Sequence, residues 1–208
     1  MHFLVGLIFV VLVTWPATAT EAPWVSLKSK AGISLSYRYN PKLEVKAKAF
    51  YQAPPESFLL LLQDTASVRR WLKQSQDARL LDGSSKNHWR VYTRFQSTWP
   101  VSPRDMVSCA DVQQLNDLSL QIRINDCASL VAEQQDYVRI RDVKAQWTLT
   151  SKKSGFELEY QGSADPGGNL PAWLVKQLTL SSLHASFVAF KTELKRPAYQ
   201  PHTTQATH

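Results

Sequence analysis

Residues 169–197 read NLPAWLVKQLTLSSLHASFVAFKTELKRP, and this stretch decides the architecture. Trp173, Leu180, Leu183, Phe187, Phe190 and Leu194 recur at steps of three, four and seven. That spacing draws one wide apolar stripe along about 26 residues, or about 39 Å, of α-helix. Asn169 is placed to cap the helix and Pro171 to sit in its first turn. Lys191, Lys195 and Arg196 suit the negative end of the helix dipole, and Pro197 stops the helix. Residues 197–208 are polar and aperiodic and read as a disordered tail.

Upstream of this helix the pattern has period two. Ile33 to Asn40 and Leu43 to Phe50 read as strands joined at Asn40-Pro41. Pro54-Pro55-Glu56 opens a short helix from Ser57 to Gln63, and a second covers Ala66 to Lys73. Ala78 to Leu81 and Asn87 to Gln96 follow as a hairpin around Asp82-Gly83. In the second of these, Trp89, Val91, Thr93 and Phe95 share one face, and Arg90, Tyr92 and Arg94 the other. Met106 to Gln113, Leu118 to Asn125, Tyr137 to Thr150 and Phe156 to Gly162 complete the strands. Leu118, Leu120, Ile122 and Ile124 form an expected buried row. So many antiparallel strands must twist and curl. A single helix laid along the concave side leaves a hollow, and a hollow lined by apolar groups binds apolar ligands.

The chain has 208 residues, enough for one domain with a sizeable core. Seven Trp and an aromatic share of 11% exclude a disordered chain. A formal charge of +7 and a pI near 9.5 favour anionic partners. The N-terminus narrows these. Phe3 to Val13 is an unbroken apolar run, closed by Trp15-Pro16 and a small-x-small site at Ala17-Thr18-Ala19. Residues 1–19 therefore read as a secretory signal peptide, with an uncleaved anchor as the alternative. Export, expected to the periplasm of a Gram-negative bacterium, makes nucleic acid a poor partner. It leaves an anionic membrane surface, met transiently, or an acidic protein. An oxidising compartment permits a disulfide between the only two cysteines, Cys109 and Cys127, which fall near neighbouring strands. Two buried free thiols are the alternative.

Three segments resemble the START lipid-transfer family. Trp99-Pro100-Val101-Ser102-Pro103-Arg104-Asp105-Met106-Val107 is similar to its aromatic-Pro-x-Ser-x-Arg-Asp-aromatic-Val motif. Tyr137-Val138-Arg139-Ile140 resembles its Val-Arg-Val strand. Asp165-Pro166-Gly167-Gly168-Asn169-Leu170-Pro171-Ala172-Trp173-Leu174-Val175 is very similar to its Asp-Pro-Gly-Gly-x-Ile-Pro-x-Trp-Leu signature. Trp71 falls where the family carries an early helical Trp. The resemblance covers about residues 24–196, and residues 20–196 are taken as the domain. It implies an α+β helix-grip fold: a curved antiparallel sheet wrapped around the long C-terminal helix, with two short helices between early strands. It further implies a monomer holding one lipid or other hydrophobic small molecule in an internal cavity, without cofactor or chemistry.

The resemblance places a gate at the C-terminal helix and a neighbouring loop. Here that loop is Cys127 to Asp136, with Leu130 and Val131 as exposed candidates, and Gly167-Gly168 as the tight reversal before the helix. Tyr92, Arg94, Arg139, Trp147, Trp173, Leu180 and Phe187 are the candidate cavity residues, the two arginines as partners for a polar head group. The Arg104-Asp105 pair reads as a structural ion pair rather than a ligand contact. The family's phosphatidylcholine and sterol members place head-group arginines where Val68 and Ala110 stand here, so neither head-group rule transfers. The five histidines have no metal-ligand spacing, and no nucleophile elbow, phosphate loop or Cys-His pair is present. A periplasmic carrier or transfer protein is the leading expectation. A cyclase- or hydrolase-like enzyme using the same cavity, and an interaction module with a vestigial cavity, are the alternatives.

Overall fold

A computed structural model describes residues 21–96 and 101–201. The signal peptide expected at 1–19, Trp99-Pro100 and residues 202–208 lie outside the described residues. The strands are β1 (Val25–Ser26), β2 (Ile33–Asn40), β3 (Lys42–Tyr51), β4 (Ser75–Leu80), β5 (His88–Phe95), β6 (Arg104–Asn116), β7 (Ser119–Asp126), β8 (Val138–Lys152) and β9 (Gly155–Asp165). The helices are α1 (Pro55–Gln63), α2 (Val68–Trp71) and α3 (Ala172–Glu193). One nine-stranded sheet runs in the order β1-β2-β3-β9-β8-β7-β6-β5-β4. Its neighbours are antiparallel, except that the start of β6 also runs parallel to the start of β8. β8 bends at a bulge between Arg141 and Lys144, where Asp142 has a φ of 52°.

Helix α3 lies across the concave face, and its two halves differ. The C-terminal half packs solid. Phe187 and Phe190 are fully buried, with ring centroids 5.9 and 6.0 Å from Trp147. Phe58 of α1 sits 5.2 Å from Phe190 and 5.3 Å from Trp147. Tyr51 donates from its hydroxyl to the Phe187 carbonyl at 2.8 Å, fixing the helix to β3. Aromatic pairs at these separations contribute about 0.5–1.5 kcal/mol each beyond burial.

Three expectations change. The helix starts later: Pro171 holds the N-cap position and Asn169 makes no cap, because a residue before proline is steered away from helical angles. The tail does not begin at 197. Pro197–Tyr199 forms a 3-10 turn with Tyr199 buried; its hydroxyl donates to Asp64 at 2.5 Å and accepts from Arg70 at 2.6 Å. Leu118 is 61% exposed and drops out of the buried row, because it stands in the β6–β7 turn beyond the covered part of the sheet.

Candidate cavity

The N-terminal half of α3 stands over a hollow of about 520 Å³. Alternation builds its walls. Trp89, Val91, Thr93 and Phe95 of β5 face inward. So do Arg104, Met106, Ser108 and Ala110 of β6, Ile122 and Ile124 of β7, and Ala145 and Trp147 of β8. Trp71 and Leu72 close one side. The roof is Val175, Leu178, Thr179, Ser182, Leu183 and Ser186 of α3. Thr179, Ser182 and Ser186 are short, so this half of the helix leaves the space that Phe187 and Phe190 fill further along. The lining reaches solvent at Lys73, Gln74, Gln96 and Ser102, all exposed. Inside, the buried Ser186 hydroxyl has no hydrogen-bond partner among the described residues. Burial pushes the Tyr160 hydroxyl up to about 12, so it stays neutral and able to donate at pH 7.

Of the candidates from sequence, Trp147 lines this hollow. Leu180 and Phe187 do not: Leu180 packs against the core cluster and Phe187 belongs to the solid half of the helix. Trp173 is corrected outright. It is 63% exposed, because the late helix start turns it outward in the first turn.

Tyr92, Arg94 and Arg139 lie on the opposite face of the sheet from the lining residues of their strands. Asp105, fully buried, pairs bidentately with Arg139: Nε to Oδ1 at 2.7 Å and Nη2 to Oδ2 at 2.9 Å. The Tyr92 hydroxyl donates to Asp105 Oδ2 at 3.1 Å; burial, then that bond, pushes Tyr92 up to about 12. The same carboxylate holds the Arg139 pKa above its ordinary value. Arg94 pairs with Asp77 on its own face, which raises its pKa too. The structural ion pair expected of Arg104-Asp105 is therefore between Asp105 and Arg139, since adjacent strand residues point to opposite faces.

The loop expected to gate the cavity also covers that outer face. Arg139 donates to the carbonyls of Ala128 and Val131 at 2.9 Å and of Ala132 at 3.1 Å. The Cys127 N–H bonds the Val107 carbonyl at 3.0 Å, and Cys109 and Cys127 are joined as a disulfide with Cα atoms 5.7 Å apart. Leu130 is exposed and Val131 half-buried, but neither lines the hollow, because the loop is fastened to the far side of β6 and β8. Gly167 and Gly168 do not line the hollow either; they stand at φ of 66° and 67° between Pro166 and Leu170, which do. A Cβ on Gly167 would come within 2.7 Å of Val138 Cγ1 and 3.0 Å of the Arg139 carbonyl.

Arg104, expected from sequence in a structural ion pair with Asp105, instead lines the cavity. It is 9% exposed and points into the hollow. Its Nε donates to the Pro166 carbonyl at 3.0 Å, Nη1 to Ser102 at 2.7 Å and Nη2 to Gly167 at 3.3 Å. No carboxylate pairs with it among the described residues, and burial pulls its pKa below the ordinary value. The signal was its phase: Arg104 shares its side of β6 with Met106, Ser108 and Ala110.

Comparison with known proteins meets this geometry directly. The sequence model of the START domain matches residues 15–199. The chain belongs to the START domain family. The START fold is also seen in the crystal structure of a STAR-related lipid transfer protein from Xanthomonas axonopodis. It is 26% identical, superposes with a TM-score of 0.76, and the match covers 83% of this chain and 99% of that one. Human StAR-related lipid transfer protein 5 shares the fold at a TM-score of 0.72 and 15% identity, covering 85% and 88% of the two chains. An uncharacterised protein of Pseudomonas aeruginosa is 24% identical over 123 residues, which are 59% of this chain and 60% of that relative. The match thus spans about three fifths of that relative's length.

Proposed function

We propose that this START domain binds a lipid or other hydrophobic small molecule in the hollow under α3 and serves as a carrier in the bacterial envelope. One observation carries the reading: about 520 Å³ of space lies between the concave sheet and the short side chains of α3. Sites for small ligands span roughly 300–1,000 Å³ and are mostly apolar with a few placed polar groups. The walls here are aliphatic and aromatic, with hydroxyls at Thr93, Ser108, Ser182 and Ser186. Lipid-transfer relatives of the same family support a hydrophobic ligand in general terms.

The periplasmic setting is supported by the apolar run Phe3 to Val13 with its small-residue site, and by the Cys109–Cys127 disulfide, which suits an oxidising compartment. An open hollow argues against a vestigial cavity packed shut by Trp and Phe. An enzyme needs a group that titrates near working pH; Tyr160, pushed up to about 12, is a neutral donor suited to holding a polar atom.

Native mass spectrometry of protein purified from the periplasmic fraction tests the reading. A bound hydrophobic molecule of discrete mass is expected, on a chain shortened by its first 19 residues. Protein that is empty, and stays empty against a panel of phospholipids, sterols and fatty acids, would contradict it.

A further inference from the structure

Resting on that reading, we infer that the ligand is an anionic amphiphile whose carboxylate or phosphate sits against Arg104 at the mouth of the cavity, with its hydrocarbon chain running inward towards Trp147. Charge is the first argument. Taking an ion out of water is costly unless an opposite charge compensates it. Arg104 is nine-tenths buried, and its three acceptors are all neutral backbone carbonyls. Asp105, its neighbour in sequence, is turned to the other face and already holds Arg139. Asp165, beside the same loop, accepts the Gly167 N–H and lies 3.6 Å from Lys42. Guanidinium stays protonated at any physiological pH, so this cation stands in the cavity wall without a counter-charge among the described residues.

Donor count is the second argument. A guanidinium has five N–H groups in one plane. Three are used, one on each nitrogen, which leaves one N–H on each Nη atom without an acceptor among the described residues. Two unused donors, one on each Nη atom, match in number the two oxygens of a carboxylate or phosphate.

Position is the third. In the sheet register, Arg104 pairs with Phe95, and Phe95 with Ser75. Lys73, two residues before Ser75, therefore joins the same end of the sheet, where its Nζ donates to Ser181 Oγ of α3 at 3.1 Å. Lys73 and Arg104 are the charged side chains of the lining, and both are cations. Further along β6, Met106 and Ala110 lead towards Ile122 and Trp147. The cavity is positive at its mouth and mostly aliphatic and aromatic further in, with the Tyr160 and Ser186 hydroxyls among those walls, which suits an amphiphile with an acid head.

Titrations followed by tryptophan fluorescence test this, since Trp71, Trp89 and Trp147 line the hollow. Oleate is compared with oleyl alcohol, and dioleoyl phosphatidic acid with dioleoylglycerol, at pH 8. The acid of at least one pair is expected to bind at least about tenfold tighter than its neutral partner. The pair that shows the preference separates a carboxylate from a phosphate. Arg104→Gln is expected to abolish the preference for the acid over its neutral partner. Because Arg104 also ties the Pro166–Gly167 loop, Lys73→Gln in an exposed side chain is the second variant, expected to weaken the acid alone severalfold. Equal affinity within both pairs, or variants that lose acid and neutral partners alike, overturns the inference while leaving a hydrophobic ligand standing. If none of the four probes binds, the inference falls, and native mass spectrometry against the wider panel decides the hydrophobic-ligand reading separately.

Discussion

Asp105 shows how a motif residue can serve the fold while its neighbour serves the cavity. Fully buried, it holds Arg139 and Tyr92 on the outer face of the sheet. Removing one partner of a buried pair leaves the other charge uncompensated, so Asp105→Ala should lower unfolding stability by about 3 kcal/mol in urea. Tyr160 carries a pH signature. Its folded pKa is raised from 10.0 to about 12, so the unfolded chain releases the proton first. The stability it contributes is complete below pH 10.0 and is lost as pH rises towards about 12. Tyr160→Phe should therefore show a shallower fall in urea midpoint over that window than the parent protein. Residue roles were only half legible in the sequence. The two faces of β5 are separable by alternation, but an aromatic ring at Tyr92 and a head-group partner at Arg94 point to the wrong face for the cavity. The apolar row of Trp89 to Phe95 is the one that lines it. Period two sorts side chains into faces; which face is concave depends on the curvature of the whole sheet.

At the scale of elements, strand positions and the C-terminal stripe were readable because period two and period 3.6 are local properties. The first turn of α3 was not, since Asn169 and Pro171 compete for the same boundary and the proline's fixed φ decides it. The turn from β9 into α3 depends on Gly167, held at a left-handed φ against Val138. Gly167→Ala should cost about 1–3 kcal/mol and lower the thermal midpoint. The loop after β7 is fixed from two sides, by Arg139 and by the disulfide. The double variant Cys109→Ser/Cys127→Ser should lose about 3 kcal/mol. Ellman titration of the unfolded, unreduced parent should find no free thiol from this pair, and two thiols would contradict the bond.

For the whole molecule, the order of elements and the Asp165–Val175 signature made the helix-grip architecture legible before any coordinates. A hollow is expected from one helix laid over a curled sheet, but its position along α3 is not legible, because that depends on volume rather than pattern. Phe187 and Phe190 fill the space under one part of α3, whereas Thr179, Ser182 and Ser186 leave it open under the rest. A hydrophobic stripe records which side faces in, not how far each side chain reaches. On the proposed function, the ligand is held in this open space under α3. Ala110, buried in the wall beside Trp89 and Ile124, offers the most direct measurement. Ordinary overpacking of a full core costs about 1–3 kcal/mol, but a large side chain here has space to enter. Ala110→Trp should keep the circular dichroism spectrum and thermal midpoint of the parent, while native mass spectrometry shows the bound hydrophobic molecule gone. A variant that still carries the molecule at parental occupancy would contradict the account.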